Sequence, residues 1–382
     1  MPPASRRSAI EPFHVMEVMR AAAGREAAGE EVLHLEVGQP STPAPRGVRE
    51  AAARALGDDT LGYTAALGLD VLRARIAAWY DQRYGVSVGP ERIVVTTGAS
   101  GSCVLAFLAC WDVGDRVAVL EPGYPCYRND LAAFGVEVVG VPVGPETSFR
   151  PTTAQLEAAG PLDGLVLASP SNPTGTVLDQ ATLADLLAWA AGAGVRMVVD
   201  EIYHGITYTE PAPTALAAGE QVVVINSFSK YFSMTGWRLG WIVAPTELIA
   251  PLERLGQNLA ISAPTLSQLA GIAAFDCVEE LEANVARYGR NRAVLLERLP
   301  SLGLSTTAPA DGAFYVYAEA TPFGLPSPEL CRRWLDEAGV AVTPGIDFDP
   351  VRGRDWVRFS YAGAEADLVE ALDRLAAWVA AR

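Results

Sequence analysis

Residues 222–243 read VVVINSFSKYFSMTGWRLGWIV and contain Lys230, the only lysine of a 382-residue chain that carries 28 arginines. The apolar runs 222–226 and 239–243 enclose a polar segment. A genome-wide bias toward arginine would explain this composition. Such a bias would leave a lysine in place only where arginine cannot perform the required chemistry. Arginine stays protonated and cannot form a Schiff base, whereas lysine can. A lysine retained by chance could equally occupy any basic position. The neighbouring motifs must therefore show whether Lys230 has a chemical role.

A mainly parallel sheet is indicated by short apolar runs that alternate with helix-like stretches between residues 90 and 245. Such a sheet is covered by helices on both faces and binds ligands beyond the carboxyl ends of its strands. Polar and glycine-containing motifs follow several runs, so one site is expected at that edge. The seven predicted strands are 93–97, 117–120, 136–141, 165–169, 195–200, 222–226 and 239–243.

Two domains are expected, because the chain exceeds what one hydrophobic core usually serves. We predict an α/β fold with a large domain over residues 45–280, built on the seven-stranded sheet. A smaller α+β domain over 281–382 contains a long helix, strands near 313–317 and 357–360, and a final helix from Glu365. The N-terminal segment, 1–44, is predicted to complete this smaller domain.

Composition argues for small-molecule chemistry in a reducing compartment. A net charge of −16 and a pI near 4.7 disfavour nucleic-acid and anionic-membrane partners. Five cysteines, without a C-x-x-C pair, argue against a disulfide framework and a zinc site, and three scattered histidines argue against any metal site. Without an apolar run long enough for a signal peptide or a membrane span, we expect a cytoplasmic protein.

The segment 227–240 resembles the cofactor-lysine signature of class I/II aminotransferases, a fold-type I family of the aspartate aminotransferase superfamily that uses pyridoxal 5′-phosphate (PLP). The resemblance implies that Lys230 holds PLP as an internal aldimine, a Schiff base, and then shuttles a proton. It also implies that Arg238, Ser227 and Ser229 bind the phosphate. We regard the signature as highly specific.

Three further residues stand in the family's order before Lys230. Asp200 ends an apolar run, and the resemblance makes it the partner that keeps the pyridine nitrogen protonated, so that the ring acts as an electron sink. Tyr203 and Asn172 are implied to hydrogen-bond the phenolic oxygen of the ring. An aspartate after a strand, taken alone, is more often a helix cap or turn residue.

Weaker motifs gain meaning from the same resemblance. Gly98, Ala99 and Ser100 lie where a strand gives way to a helix, so their backbone N–H groups suit the phosphate. Tyr124 matches the aromatic residue that stacks on the cofactor ring. Tyr63 matches a tyrosine that reaches the phosphate of the neighbouring subunit, which implies a homodimer with shared active sites.

Substrate binding is assigned by resemblance to three residues. Arg358 matches the arginine that grips the substrate α-carboxylate through a two-pronged pair. Gly38 matches a position whose backbone amide meets the same carboxylate, and Asn172 is included with them. A random arginine among 28 would more often be a solvated surface charge.

Three positions depart from the family pattern and limit what is carried over. Ser100 stands where aspartate-selective bacterial members have a lysine for the second carboxylate, which excludes that mode of aspartate selection. Asp349 replaces a common glycine near Phe348, so this loop is expected to differ. Cys126, beside Tyr124, is an atypical pocket candidate.

The resulting hypothesis is a PLP-dependent aminotransferase of amino-acid metabolism that moves an amino group between an L-amino acid and a 2-oxo acid by a ping-pong aldimine/ketimine mechanism. A β-lyase or cyclising synthase on the same fold is the first alternative, since these reactions share the initial carbanion. A PLP-binding regulatory domain is the second alternative, although it would need a DNA-binding appendage.

The resemblance also predicts cis peptides at Glu121–Pro122 and Asn172–Pro173.

Overall fold

The computed structural model describes residues 4–382, in which helices and strands alternate through the middle of the chain. The helices are α1 (His14–Ala27), α2 (Arg46–Asp58), α3 (Asp70–Tyr84), α4 (Gly98–Cys110), α5 (Pro125–Phe134), α6 (Thr153–Ala158), α7 (Gln180–Ala193), α8 (Thr246–Leu259), α9 (Thr265–Ala274), α10 (Val278–Arg298), α11 (Ser327–Arg333) and α12 (Glu365–Ala380). The strands are β1 (Leu33–His34), β2 (Ile93–Thr96), β3 (Arg116–Glu121), β4 (Glu137–Pro142), β5 (Gly164–Ala168), β6 (Arg196–Asp200), β7 (Val223–Ser227), β8 (Gly240–Val243), β9 (Tyr315–Glu319), β10 (Val340–Ala341), β11 (Thr343–Pro344) and β12 (Trp356–Ser360).

The central sheet has seven strands in the order β2-β8-β7-β6-β5-β3-β4. Strand β8 runs antiparallel to its neighbours β2 and β7, and the other pairs in the sheet are parallel. The predicted mainly parallel α/β sheet is therefore confirmed, and each of its predicted strands matches an observed strand to within one residue at either end.

Two hydrophobic cores cover the two faces of this sheet, because successive side chains of a strand point to opposite faces. Val199 packs into one core with residues of α3, α7 and α9, whereas Val198 packs into the other with residues of α4, α5 and α8. Both valines are almost fully buried, and burial of such a side chain contributes about 1.5–3 kcal/mol. This two-sided cover explains why the strands read as continuous apolar runs.

Two smaller sheets lie outside the central one. Strands β11, β12 and β9 form an antiparallel sheet in that order. Strand β1 pairs in parallel with β10, with Leu33 opposite Val340, so the N-terminal segment packs beside the last third of the chain. The predicted long helix and final helix correspond to α10 and α12.

The cis peptides predicted at Glu121–Pro122 and Asn172–Pro173 are both cis, and Ser169–Pro170 is a third that was not predicted. Within residues 4–382, no helix combines the length and the apolar character that crossing a membrane requires.

Candidate active site

One cavity of about 680 Å³ opens at the carboxyl ends of the central strands. Most of the residues predicted from sequence line it: Gly38, Ala99, Ser100, Tyr124, Asn172, Asp200, Tyr203, Ser229, Lys230, Arg238 and Arg358. They come from segments far apart in the chain. The topology therefore brings the separate motifs to one place.

Lys230 follows β7 and reaches into the cavity. Its Nζ donates a 2.5 Å hydrogen bond to the carbonyl oxygen of Gly38 and lies 5.9 Å from the centre of the Tyr203 ring. Burial, together with the positive charges of Arg358 and Arg238, lowers the pKa of Lys230 to about 8. A large fraction of this amine is consequently neutral in mildly alkaline solution, which suits a nucleophile or a proton carrier.

Asp200 ends β6, and its carboxylate is held by two donors. Tyr127 Oη donates to Oδ2 at 2.6 Å, and the backbone N–H of Ile202 donates to Oδ1 at 2.9 Å. Burial raises the pKa of Asp200 to about 6, opposed by these two hydrogen bonds and by Lys230. The group is therefore anionic at neutral pH and can accept a hydrogen bond from a ring N–H. Tyr127 was not predicted from sequence, although it lies one turn after Tyr124 on α5.

Arg358 on β12 is almost fully buried, and its guanidinium is held from several sides. Its Nη1 donates to Asn172 Oδ1 at 2.9 Å, and its Nη2 donates to the Glu36 carbonyl oxygen at 2.5 Å. The group lies 4.3 Å from the centre of the Tyr315 ring. Its Nε is buried and has no hydrogen-bond partner among residues 4–382. A fixed guanidinium at the cavity wall is suited to binding a carboxylate.

Tyr203 and Tyr315 form a pair beside Lys230. A 2.8 Å hydrogen bond joins their hydroxyl groups, and their rings meet edge to face. Tyr315 also packs closely against Gly38, where an added Cβ would lie 1.7 Å from the Tyr315 hydroxyl oxygen. Only glycine permits this approach of backbone and phenol.

The start of α4 has the features of an anion site. Thr97, which precedes the helix, makes no side-chain cap, so its first N–H groups are not satisfied in that way. Gly98 has φ +81°, and a Cβ there would lie 2.6 Å from Arg238 Nη2. Ser227 Oγ lies 3.0 Å from Ser229 Oγ in the adjoining loop. A helix N-terminus, a guanidinium and two hydroxyl groups fit a phosphate.

The apolar wall of the cavity comes from the N-terminal region and was not predicted. It consists of Phe13, Val15, Met16 and Met19 in and just before α1. The backbone N–H groups of His14 and Val15 donate to the carboxylate of Asp347 at 3.0 and 3.1 Å, which fixes the start of this helix. No local motif indicates such a contact, because more than 300 residues separate the partners.

Three predicted site residues, Gly98, Ser227 and Tyr63, do not line the cavity. Ser227 is buried behind the cavity, whereas Tyr63 is 83% exposed and does not line it. Cys126 lines the cavity, and burial raises the pKa of its thiol to about 11. Asp349 accepts hydrogen bonds from the N–H groups of Val351 and Arg352, and therefore closes its own turn.

Comparison with known proteins gives a consistent result. The family model described as aminotransferase class I and II matches residues 30–375. A valine–pyruvate aminotransferase from Mycobacterium tuberculosis is 48% identical over 98% of this chain and 97% of its own length. The crystal structure of an aminotransferase from Mycobacterium tuberculosis has a TM-score of 0.97 at 47% identity, with all of both chains covered. The aspartate aminotransferase of Thermus thermophilus, solved with maleate, has a TM-score of 0.93 at 34% identity and covers 99% of this chain and 100% of its own.

Proposed function

The chain belongs to the class I and II aminotransferases, and from this premise we propose that it works with pyridoxal 5′-phosphate attached to Lys230. It has the fold-type I architecture and moves an amino group between an amino acid and a 2-oxo acid. The β-lyase and cyclising synthase alternatives have no support from the similar proteins described above. The observation that carries the cofactor proposal is the convergence of Lys230, Asp200 and Arg358 on one cavity.

The residues present fit this cofactor. The start of α4, with Arg238, Ser227 and Ser229, would hold the phosphate, as the uncapped helix and the adjacent guanidinium support. Asp200 would accept a hydrogen bond from the pyridine N–H, while Asn172 and Tyr203 would face the phenolic oxygen. Tyr124, a cavity residue, is proposed to stack on the ring.

Pyridoxal phosphate, when bound, supplies an electron sink that stabilises the charge left when the substrate Cα loses its proton. Arg358 binds the α-carboxylate and so orients the substrate. Lys230 Nζ takes the Cα proton, a role that its lowered pKa supports. Ionised Asp200 provides the negative charge that keeps a facing ring nitrogen protonated. The apolar wall of α1 shields the proton-transfer region from bulk water.

A neutral amino donor and a small oxo acid are proposed as substrates. The relative that is 48% identical is named for valine and pyruvate, which supports this choice. The apolar side chains Phe13, Val15 and Met16, which line the cavity, also favour a neutral side chain. Gly38 and Asn172 are proposed to contact the α-carboxylate together with Arg358.

A homodimer is proposed, with Tyr63 completing the phosphate site of the partner subunit. The 83% exposure of this tyrosine leaves it free to do so.

We also propose that residues 45–280 form the large domain and that 1–44 with 281–382 form the small one; residues 1–3 lie outside those described. The pairing of β1 with β10 supports this division. The five cysteine thiols and the acidic composition support a proposed cytoplasmic location.

A single-turnover experiment tests the proposed chemistry. The holoenzyme is mixed with L-valine alone, and we expect a change in cofactor absorbance with release of one equivalent of 2-oxo acid. Added pyruvate should restore the absorbance and yield alanine. Release of ammonia in the first step, or no spectral change with any neutral amino acid, would contradict the proposal.

A further inference from the structure

Asp130 is a charged residue of the cavity wall to which the proposed function gives no role. If Arg358 binds the α-carboxylate and Lys230 faces the α-amine, as the proposed function requires, the substrate side chain must enter the remaining space. That space is bounded by apolar residues such as Phe13, Val15 and Met16. Asp130 lines the same cavity. The inference below rests on the proposed function.

Asp130 lies on α5, one helical turn after Cys126, and both side chains line the cavity. Among the residues whose side chains the structure describes, none forms a hydrogen bond or an ion pair with its carboxylate, in contrast to Asp200 with its two donors. Burial raises the pKa of Asp130 to about 6, which still leaves the group mostly ionised at neutral pH. The cavity wall therefore carries a negative charge that has no partner among the described side chains.

The cationic side chains of this chain that line the cavity are already engaged. Lys230 and Arg238 belong to the proposed cofactor site, and Arg358 faces the α-carboxylate. Arg128, two residues before Asp130 on α5, donates from Nη2 to the Asp347 carbonyl oxygen at 2.7 Å and from Nη1 to that of Phe348 at 3.4 Å. None of these four cations is consequently a direct partner of Asp130.

We propose that Asp130 is a specificity-determining residue that excludes a second carboxylate from the side-chain end of the cavity. Dicarboxylic amino acids and oxo acids would place a negative charge in the space that Asp130 faces. At an effective dielectric constant of about 20, two like charges within about 8 Å of each other repel strongly enough to weaken binding by more than about tenfold. Monocarboxylic substrates of similar size experience no such repulsion.

The test measures equilibrium binding to the holoenzyme of two unreactive acids, maleate and isovalerate, by isothermal titration calorimetry at neutral pH. Asp130→Asn removes the charge with little change in volume. We expect it to lower the dissociation constant of maleate about tenfold while that of isovalerate stays within about twofold. Asp130→Glu keeps the charge and should retain the discrimination. Asp185→Asn, the same chemical change at an exposed position of α7, should leave both constants unchanged.

Steady-state turnover gives a second readout, in which Asp130→Asn should raise kcat/KM for 2-oxoglutarate relative to pyruvate by a similar factor. An unchanged maleate constant, equal changes for both acids, or a selective loss of basic amino donors would overturn the role of Asp130. If the wild-type holoenzyme showed no turnover while Asp130→Asn still bound maleate more tightly than the wild type, the proposed transamination alone would be refuted. The two failures are therefore distinguishable.

Discussion

Tyr127 Oη lies 2.6 Å from Asp200 Oδ2, and the phenol donates a hydrogen bond to this buried carboxylate in the cavity wall. Burial, followed by the charge of Asp200, raises the pKa of Tyr127, so that the phenol remains a neutral donor. The same hydrogen bond opposes the upward shift in the pKa of Asp200 that burial causes. Tyr127 is thus a positioning residue that favours the ionised form of Asp200.

Tyr127→Phe should therefore reduce the rate of the L-valine half-reaction about tenfold or more, since a hydrogen bond to a charged group contributes about 1.5–3 kcal/mol. The pKa of Asp200 should rise further above about 6. Because the ionised form is the active one, the acid limb of the pH–rate profile should move to higher pH. Stopped-flow absorbance across a pH series measures both effects.

Tyr208→Phe is the matched control, because Tyr208 is a largely buried phenol that donates to the Ala313 carbonyl oxygen at 2.5 Å and does not line the cavity. This variant should leave the acid limb in place. A Tyr127→Phe enzyme with an unshifted profile would show that the phenol only fills space.

Lys230→Arg should keep a positive charge in the cavity but abolish covalent attachment of the cofactor. Arginine remains protonated, so it can neither attach to the aldehyde nor move the Cα proton. We expect the half-reaction to slow by at least about 10³-fold, within the range that a general base contributes. Borohydride reduction followed by peptide mass spectrometry checks the attachment.

Since Lys230 is the only lysine, the wild-type label should appear on one internal peptide. Label retained on an internal peptide of the arginine variant, or normal turnover by it, would refute the assignment. The α-amino group of the chain is the competing amine, and the N-terminal peptide serves as the internal control for unspecific labelling.

Sequence predicts this sheet well because most of its strands are buried on both faces and bounded by polar or glycine-containing turns. Asp200 and Lys230 could also be placed together in advance, since Asp200 ends one strand, Lys230 follows another, and the carboxyl ends of parallel strands share one edge. Tyr127, Asp130 and the apolar residues of α1 could not. Their approach to the cavity depends on how helices pack, which no local motif encodes.

Tyr63 shows the opposite limit. Its family motif predicts a role at the phosphate, yet in the single chain its side chain is exposed and outside the cavity. The proposed role of Tyr63 therefore depends on contact with a second subunit. Glu36 illustrates a similar point within the chain: its carbonyl oxygen supports Arg358, although nothing in its motif singles out that atom.

The lowered pKa of Lys230 predicts how cofactor uptake by the apoenzyme depends on pH. The neutral amine is the reactive form, and a pKa of about 8 makes about half of it neutral at pH 8 but only about 1% at pH 6. The rate of covalent attachment should rise about tenfold per pH unit below pH 8 and level off above about pH 9. Stopped-flow absorbance after mixing apoenzyme with excess pyridoxal phosphate measures this rate. A midpoint near the ordinary lysine pKa would contradict the effect of burial.

The shared-site hypothesis predicts complementation between two defective subunits. Tyr63→Phe removes one phosphate contact and should weaken cofactor binding about tenfold, as expected for a hydrogen bond to a charged group. In a mixed dimer with Lys230→Ala, one site combines Lys230 from the first subunit with Tyr63 from the second and is therefore intact. Differently tagged subunits allow the mixed dimer to be isolated, and cofactor titration should then find one site of wild-type affinity per dimer, with half the wild-type turnover. If the mixed dimer binds the cofactor no more tightly than the Tyr63→Phe homodimer, Tyr63 does not act across the interface.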